Sequence, residues 1–199
     1  AFYDELLAEL EAAPDVRAAG ATLLLPLVTR SWERGIAPEG ASLEHADMAS
    51  VLWNVVTEGY FEAMGMPILR GRGFDDERDL QGMETVAIID ESMAERFWPG
   101  ADPIGRRVAF EQHDPEVPRV WATVVGVVPN IRHYELQSPS RIQVYIPMRQ
   151  AFPLGLSVAI KHGPGAAAAA ADRLRAAVNA LRPGIAVTSV RPLEDIVAD

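Results

Sequence analysis

The stretch that decides the fold is GYFEAMGMPILRGR, residues 59–72. Thr57 stands just before it and predicts the cap of a short helix, because a threonine oxygen accepts hydrogen bonds from the free N–H groups of a first helical turn. This helix carries Tyr60 and Phe61, and the glycine and proline of residues 65–67 end it. The stretch is built from glycine, proline, aromatic and aliphatic residues, which specify backbone shape and packing rather than chemistry.

Apolar patterns on both sides of this stretch predict strands. Residues 49–56 alternate and place Val51, Trp53 and Val55 on one face, as a half-buried strand does. Further strands are predicted for a set of mainly apolar runs: 86–89, 120–128, 142–146 and 156–160. The nearly all-apolar run 120–128 is expected in the centre of a sheet, where both faces of a strand are covered.

Helices are predicted at both ends of the chain and after Asp90, whose carboxylate suits an N-cap. Residues 2–13 and 164–181 each carry an apolar stripe, and a proline follows each run. A strand is predicted after each terminal helix, at 16–25 and at 185–190. This weak repeat of helix, tight turn and strand predicts one subdomain built from both chain ends.

The predicted fold class is α+β with two subdomains. Residues 1–65 and 151–199 form an α/β subdomain, and the β-rich residues 66–150 are inserted between them. Residues 29–47 are rich in glycine, proline and charged side chains, which predicts a long loop or a hairpin. A subdomain made from both ends brings the termini close together, as two flanking membrane helices would require.

Composition excludes several classes of function. The 199 residues include 28 acidic and 18 basic side chains, a net charge of −10. This balance argues against binding to nucleic acid or to an anionic membrane surface. Cysteine is absent, which excludes disulfides and thiolate metal sites. No apolar run reaches the roughly 20 residues of a membrane helix, and the chain does not begin with Met, so we expect a piece of a longer protein.

Two patterns resemble chemical sites but lack essential residues. Residues 100–107 have the glycine spacing of a phosphate-binding loop without its Lys and Ser/Thr, which predicts a structural turn. The acidic run 75–79 lacks the ligand spacing of a calcium loop, which predicts a solvated loop. The histidines stand at no ligand spacing, and no serine lies in a nucleophile elbow. We therefore predict no catalytic residue, no metal site and no cofactor.

Aromatic residues are the remaining candidates for a functional surface. Trp32 lies in a polar stretch, and an exposed position there would make it a partner contact, because exposed aromatic residues are enriched at interfaces. A core position is the alternative. Trp98, just before the Pro-Gly that ends a predicted helix, is the main candidate for packing between subdomains, together with Tyr60 and Phe61.

Five motifs together resemble a known family: GYFEAMGMPILRGR (59–72), AIIDESMAERFWPG (87–100), DPIGRRV (102–108), VVGVVPNIR (124–132) and VYIP (144–147). Their order and spacing are similar to those of MacB-like periplasmic core domains in MacB/FtsX-type ABC transporter permeases, closest to the branch with duplicated permease halves. The resemblance spans about residues 57–199. It departs at Asp90, where Asn is common, and at Pro129, where Gly is common.

The resemblance implies a domain on the extracytoplasmic, periplasmic face of the inner membrane, between the first two transmembrane helices of a permease. It implies a porter-like α/β subdomain with an inserted, β-rich Sabre-like subdomain. The expected partners are the permease's transmembrane helices, a cytoplasmic ATPase, a second permease copy and a periplasmic adaptor. The expected function is mechanotransmission, in which ATP-driven conformational change is coupled to export or extraction.

Other functions stay open at this point. An extracytoplasmic ligand-binding or sensor domain would use the cleft between two subdomains as its pocket. A hydrolase is a further alternative, although the sequence shows no constellation of nucleophile, base and oxyanion donors.

Overall fold

The structure is a computed structural model that describes residues 2–25, 32–112, 114–130, 142–151, 153, 155–193 and 195. The helices are α1 (Phe2–Glu11), α2 (Tyr60–Ala63), α3 (Glu91–Phe97) and α4 (Ala167–Leu181). The strands are β1 (Val16–Thr22), β2 (Glu33–Pro38), β3 (Ala49–Val56), β4 (Arg70–Gly71), β5 (Val86–Asp90), β6 (Arg107–Phe110), β7 (Trp121–Val128), β8 (Gln143–Pro147) and β9 (Ser157–His162). Short 3-10 turns lie at His45–Asp47 and Met148–Gln150.

Six of the strands close into a ring. They pair in the order β2-β6-β7-β5-β8-β3, and β3 then pairs back with β2. The pairs β3–β8 and β5–β7 are parallel and the other four are antiparallel. The predicted central strand, β7, is flanked on both sides, and β4 adds to it as a further neighbour. One face of each of these strands points into a closed interior, and the side chains on that face are apolar.

The interior of the ring is the largest apolar core. It consists of buried side chains from all six strands, with α3 packed against them: Ile36, Ala49, Val51, Ala87, Ile89, Met93, Ala94, Val108, Phe110, Ala122, Val124, Val127, Ile142, Val144 and Ile146. The alternation predicted for 49–56 accounts for the burial of only one face of β3. Leu52, Asn54 and Val56 on the second face of β3 are buried as well, because this face is covered by other parts of the fold.

The two ends of the chain meet beside the ring. β1 and β9 pair antiparallel from Val16↔His162 to Thr22↔Ser157. α1 and α4 pack with this pair around a second core, whose buried members are Leu6, Leu10, Ala13, Val16, Ala19, Leu174, Ala177 and Val178. The strand pairing between this unit and the ring is narrow: β1 pairs with β3 at Thr22↔Val56.

The predicted strand at 185–190 is wrong. Residues 185–190 form no strand, and Val187 and Val190 pack against the core between α1 and α4. The proposed internal repeat therefore fails in its second copy. The apolar residues Ile185, Val187 and Val190 suggested a strand, but a strand also needs a neighbour to receive its backbone hydrogen bonds.

The mixed α/β architecture agrees with the predicted α+β class. Residues 29–47, predicted as a loop or a hairpin, contain β2, which forms an antiparallel hairpin with β3. The ring joins strands from residues 1–65, namely β2 and β3, to strands from residues 66–150. The division into two subdomains stays a prediction. No helix among the described residues is long and apolar enough to cross a bilayer.

Candidate functional site

The quoted stretch begins with a buried aromatic cluster. Tyr60 and Phe61 on α2 meet Tyr145 from β8 and Phe74, and all four side chains are buried. The ring centroids lie 5.1 Å apart for Phe61 and Tyr145 and 6.0 Å apart for Phe61 and Phe74. Edge-on and tilted contacts of this kind stabilise the packing beyond the area that they bury. The cluster therefore fixes α2 against the outer face of the ring.

α2 also makes backbone contact with β1. A Cβ atom on Gly59 would lie 2.3 Å from the Ala19 carbonyl oxygen, so only glycine fits there. The Thr57 hydroxyl accepts a hydrogen bond of 2.8 Å from the backbone N–H of Ala21. This is a different role from the predicted helix cap, because Thr57 fastens the chain-end unit to the residues that follow β3. From the sequence alone, Thr57 could not be distinguished from a helix-capping residue.

Two of the family-like motifs meet at a pair of glycines. β4 and β7 pair with Gly71 opposite Gly126. Gly71 has φ +73°, and a Cβ atom on it would lie 2.1 Å from the Val125 carbonyl oxygen. A Cβ atom on Gly126 would lie 2.3 Å from the Arg72 carbonyl oxygen. The motifs at 59–72 and 124–132 are thus two sides of one close backbone contact.

Asp90 performs the predicted capping role from a buried position. Its Oδ1 atom accepts a hydrogen bond of 2.8 Å from the backbone N–H of Met93, in the first turn of α3. Burial raises the pKa of Asp90 from 3.8 to about 7, although the backbone N–H groups of Met93 and Gln143 act in the opposite direction. The same carboxyl group thus caps α3 and has a pKa that its burial raises.

A buried polar network ties the end of β1 to β3. The Asn54 Oδ1 atom accepts from the Thr22 hydroxyl and from the Leu24 backbone N–H, each at 2.9 Å. The Asn54 Nδ2 atom donates to the Leu24 carbonyl at 3.1 Å. Satisfied polar groups of this kind hold a fixed geometry, since breaking any one bond leaves a buried group unpaired.

The acidic run 75–79 is only partly the solvated loop that was predicted. Asp79 is buried and forms a bidentate pair with Arg72, at 2.7 and 2.8 Å. Burial by itself raises the pKa of Asp79, but hydrogen bonds from Arg72 and the Asp75 backbone outweigh it, so that its pKa is lowered. Within the described residues, no group of three or more histidine or acidic side chains has the arrangement of a metal site.

Arg149 joins the chain-end unit to this acidic run. Its guanidinium contacts Asp4 on α1 at 3.0 Å and Asp76 at 3.1 Å. About a third of each of the three side chains is exposed, which limits the energy of each pair through solvent screening. The arrangement is a bridge between two parts of the fold rather than a catalytic group.

The predicted packing residues lie in two different places. Tyr60 and Phe61 belong to the aromatic cluster between α2 and the ring, whereas Trp98 is half-buried and packs against the ring core at the end of α3. Trp98 also lines an open groove of about 700 Å³ with Arg70, Glu95 and Ile104. The structure does not bring the three aromatic residues together.

Trp32 has the exposed position required of a partner contact. It lies just before β2 with 58% of its surface exposed, and its carbonyl accepts from the Trp53 backbone N–H at 2.9 Å. The backbone is thus anchored to the ring while the side chain faces solvent.

A comparison with known protein families shows which family this chain belongs to. The model of the MacB-like periplasmic core domain matches residues 2–177. The chain belongs to this family. It is therefore a periplasmic core domain of the kind found in MacB-type ABC transporter permeases, on the extracytoplasmic side of the inner membrane.

Curated relatives of the core domain include the macrolide export ATP-binding/permease protein MacB of Neisseria gonorrhoeae and that of Neisseria meningitidis. Each is 29% identical over 84 residues, which cover 42% of this chain and 12% of the relative. The aligned part is therefore a small fraction of the length of these relatives.

Solved structures show the same fold. The periplasmic region of MacB from Actinobacillus actinomycetemcomitans has a TM-score of 0.60 at 16% identity, covering 89% of this chain and 73% of that one. The extracellular domain of YknZ, a noncanonic ABC-type transporter from Gram-positive bacteria, has a TM-score of 0.58 at 17% identity, with coverage of 89% and 82%.

Proposed function

We propose that the core domain transmits ATP-driven conformational change in a permease to contacts on the extracytoplasmic side, and so drives export or extraction. The family match over residues 2–177 carries this proposal. The structure supports it through the meeting of the chain ends. Because β1 pairs with β9, a displacement of either end of the chain acts on the same small sheet.

The two-subdomain organisation is part of the proposal. Residues 1–65 and 151–199 would form the porter-like part, and residues 66–150 the Sabre-like part. Relative motion would require a seam with few backbone hydrogen bonds. The junction that the proposed motion would use lies between the chain-end unit and the ring, each of which has its own core, and its strand pairing is confined to Thr22↔Val56, within residues 1–65. We refer to this junction as the seam.

The proposed partners are those of an ABC permease. Transmembrane helices would flank the domain, and a cytoplasmic ATPase would supply the motion. A second permease copy and a periplasmic adaptor would meet the domain outside the membrane. Trp32 is proposed as a contact for such a partner, because its indole is exposed on an anchored backbone.

A reversible cross-link across the seam tests the proposal. The chain lacks cysteine, so in a full transporter whose other cysteines have been replaced, Asp4→Cys with Asp76→Cys introduces a unique pair on two residues that Arg149 holds together. A short methanethiosulfonate cross-linker should stop the ATP turnover of the full transporter in nanodiscs, and reductant should restore it.

Glu33→Cys with Ser50→Cys is the matched control, since this pair lies within the ring and its side chains already touch at 2.7 Å. Cross-linking the control pair should leave turnover unchanged. Full turnover with the seam cross-linked, or a gene whose reading frame encodes no membrane helices beside this domain, would contradict the proposed function.

A further inference from the structure

The exposed apolar residues of the ring are concentrated at one of its ends. This end is where β2, β5 and β7 begin and β6 ends. Trp32, Met83, Val117 and Val120 lie there with 58%, 61%, 54% and 49% of their surfaces exposed. We refer to these four residues as the rim patch.

The rim patch comes from three segments of the chain: the one before β2, the one before β5, and the one between β6 and β7. Hydrogen bonds show that these segments are neighbours. The Glu111 side chain accepts from the backbone N–H of Gly35 at 3.1 Å, which ties the segment after β6 to β2. The Thr123 N–H donates to the Thr85 carbonyl at 2.8 Å, which ties the start of β7 to the segment before β5. Strands β2, β6, β7 and β5 are consecutive in the ring, so the patch follows one continuous arc.

Acidic side chains surround the rim patch. Glu84, Asp114 and Glu116 are exposed in the same segments. The Glu84 carboxylate accepts from the Thr123 hydroxyl and Asp114 Oδ1 accepts from the Glu116 N–H, and none of the three pairs with a basic side chain among the described residues. Two arginines lie nearby: Arg34 stacks over the Trp53 ring at 4.8 Å and Arg119 donates to the Phe110 carbonyl, and among the described residues neither forms an ion pair with the three carboxylates.

The acidic charge around the rim patch distinguishes between the molecules that could bind there. A second copy of the chain would bring another acidic rim against the first, and the net charge of −10 makes that contact repulsive. An anionic lipid surface would be repelled in the same way. A polypeptide with basic residues around apolar ones would bury the four side chains and neutralise the three carboxylates.

We infer that the rim patch is a docking surface for a partner polypeptide whose docking segment presents apolar side chains flanked by Lys or Arg. This inference rests on the proposed function, in which a partner protein meets the domain outside the membrane. It adds the location of the contact and the chemistry of the partner. The buried core of such an interface would be the Trp32 indole, since tryptophan is enriched among the residues that dominate binding energy.

A pair of defined peptides tests the inference on the full permease. The first is an amphipathic helix of about 14 residues with leucine on one face and lysine on the other. The second has glutamate in place of lysine. The lysine peptide should bind, more weakly at about 300 mM than at about 50 mM salt, and the glutamate peptide should not. Fluorescence anisotropy of the labelled peptides measures the binding of each peptide and its dependence on salt.

Matched variants locate the binding site. Trp32→Ser with Met83→Ser and Val117→Ser should weaken binding of the lysine peptide at least about tenfold. Leu69→Ser with Ile185→Ser, which removes comparably exposed apolar residues elsewhere, should leave it unchanged. The charge variant Glu84→Gln, Asp114→Asn and Glu116→Gln should weaken binding and its salt dependence, whereas Glu5→Gln, Glu62→Gln and Glu95→Gln should not.

The inference would be overturned if the two peptides bound equally well, or if the patch and control variants lost the same amount of affinity for the lysine peptide. It would also be overturned by sedimentation showing that the patch variant abolishes self-association, because the occupant would then be a second copy. A permease that keeps normal ATP turnover while the patch variants bind the lysine peptide at full strength rejects the patch and leaves the proposed function standing.

Discussion

Gly20 of β1 lies so close to α2 that a Cβ atom at position 20 would be 2.4 Å from the Cα atom of Tyr60. The two backbones are in contact without an intervening side chain. Tyr60 is at the same time the first residue of the aromatic cluster. Together with the contacts of Gly59 and Thr57, this approach joins the chain-end unit to the outer face of the ring.

Gly20→Ala should destabilise the domain by about 2–3 kcal/mol, because neither backbone can move without disturbing β1 or the aromatic cluster. Urea unfolding followed by circular dichroism measures this loss. Gly155→Ala is the matched control, since no heavy atom lies within 4 Å of its added methyl position. A loss that is the same for both variants would show that the contact at Gly20 is not tight in solution.

Asp90→Asn should stabilise the domain at pH 8 by roughly 2–4 kcal/mol. Because burial raises the pKa of Asp90 from 3.8 to about 7, the folded state binds a proton more tightly than the unfolded state. The stability that comes from this group is therefore lost as pH rises from about 4 to about 7. Asparagine keeps a capping oxygen without the charge.

The measurement for Asp90 is the difference in unfolding free energy between Asp90→Asn and the wild type, followed from pH 4 to pH 9. It should grow up to about pH 7 and then stay constant. Glu91→Gln, at an exposed neighbouring position, should show no such step. A difference that is flat across this range would mean that the Asp90 carboxyl group is not raised in pKa.

Arg149→Met should lower stability by about 1 kcal/mol at low salt and by less at high salt. The change removes the bridge between Asp4 and Asp76 while keeping a long side chain. Arg175→Met is the control, because its pair with Asp172 lies within one helix and is more exposed. An equal effect for the two arginines would contradict a bridging role for Arg149.

Two tryptophans should respond in opposite ways to replacement by alanine. Trp98→Ala should cost about 2 kcal/mol, because its half-buried indole packs against the ring core. Trp32→Ala should change stability by less than about 0.5 kcal/mol, as an exposed substitution does. The melting temperatures of the two variants and the wild type measure these changes in stability. A large drop in melting temperature for Trp32→Ala would assign that residue to the core.

Much of the local structure follows from the sequence. The strand predicted at 49–56 is β3, and the helix predicted after Asp90 is α3, with Asp90 as its cap. These elements depend on residues that are close in the chain. An alternating apolar run or a carboxylate before a helix acts within a few residues, so its consequence is visible without the rest of the fold.

The tertiary structure decided what those elements are paired with. Thr57 resembled a helix cap and instead binds Ala21, and Asp79 resembled a solvated residue and is buried with Arg72. The predicted strand at 185–190 had the right pattern but no neighbouring strand to pair with. In each case the deciding partner is distant or belongs to another element, and a local pattern carries no information about it.

The five motifs, taken together in their order and spacing, determined the family resemblance. Only the tertiary structure showed what the glycines in them do. Gly59 makes room for the Ala19 carbonyl, and Gly71 lies against Val125. A glycine in a sequence marks a place where a side chain does not fit, and the atom that excludes that side chain is known only once the distant strands are brought together.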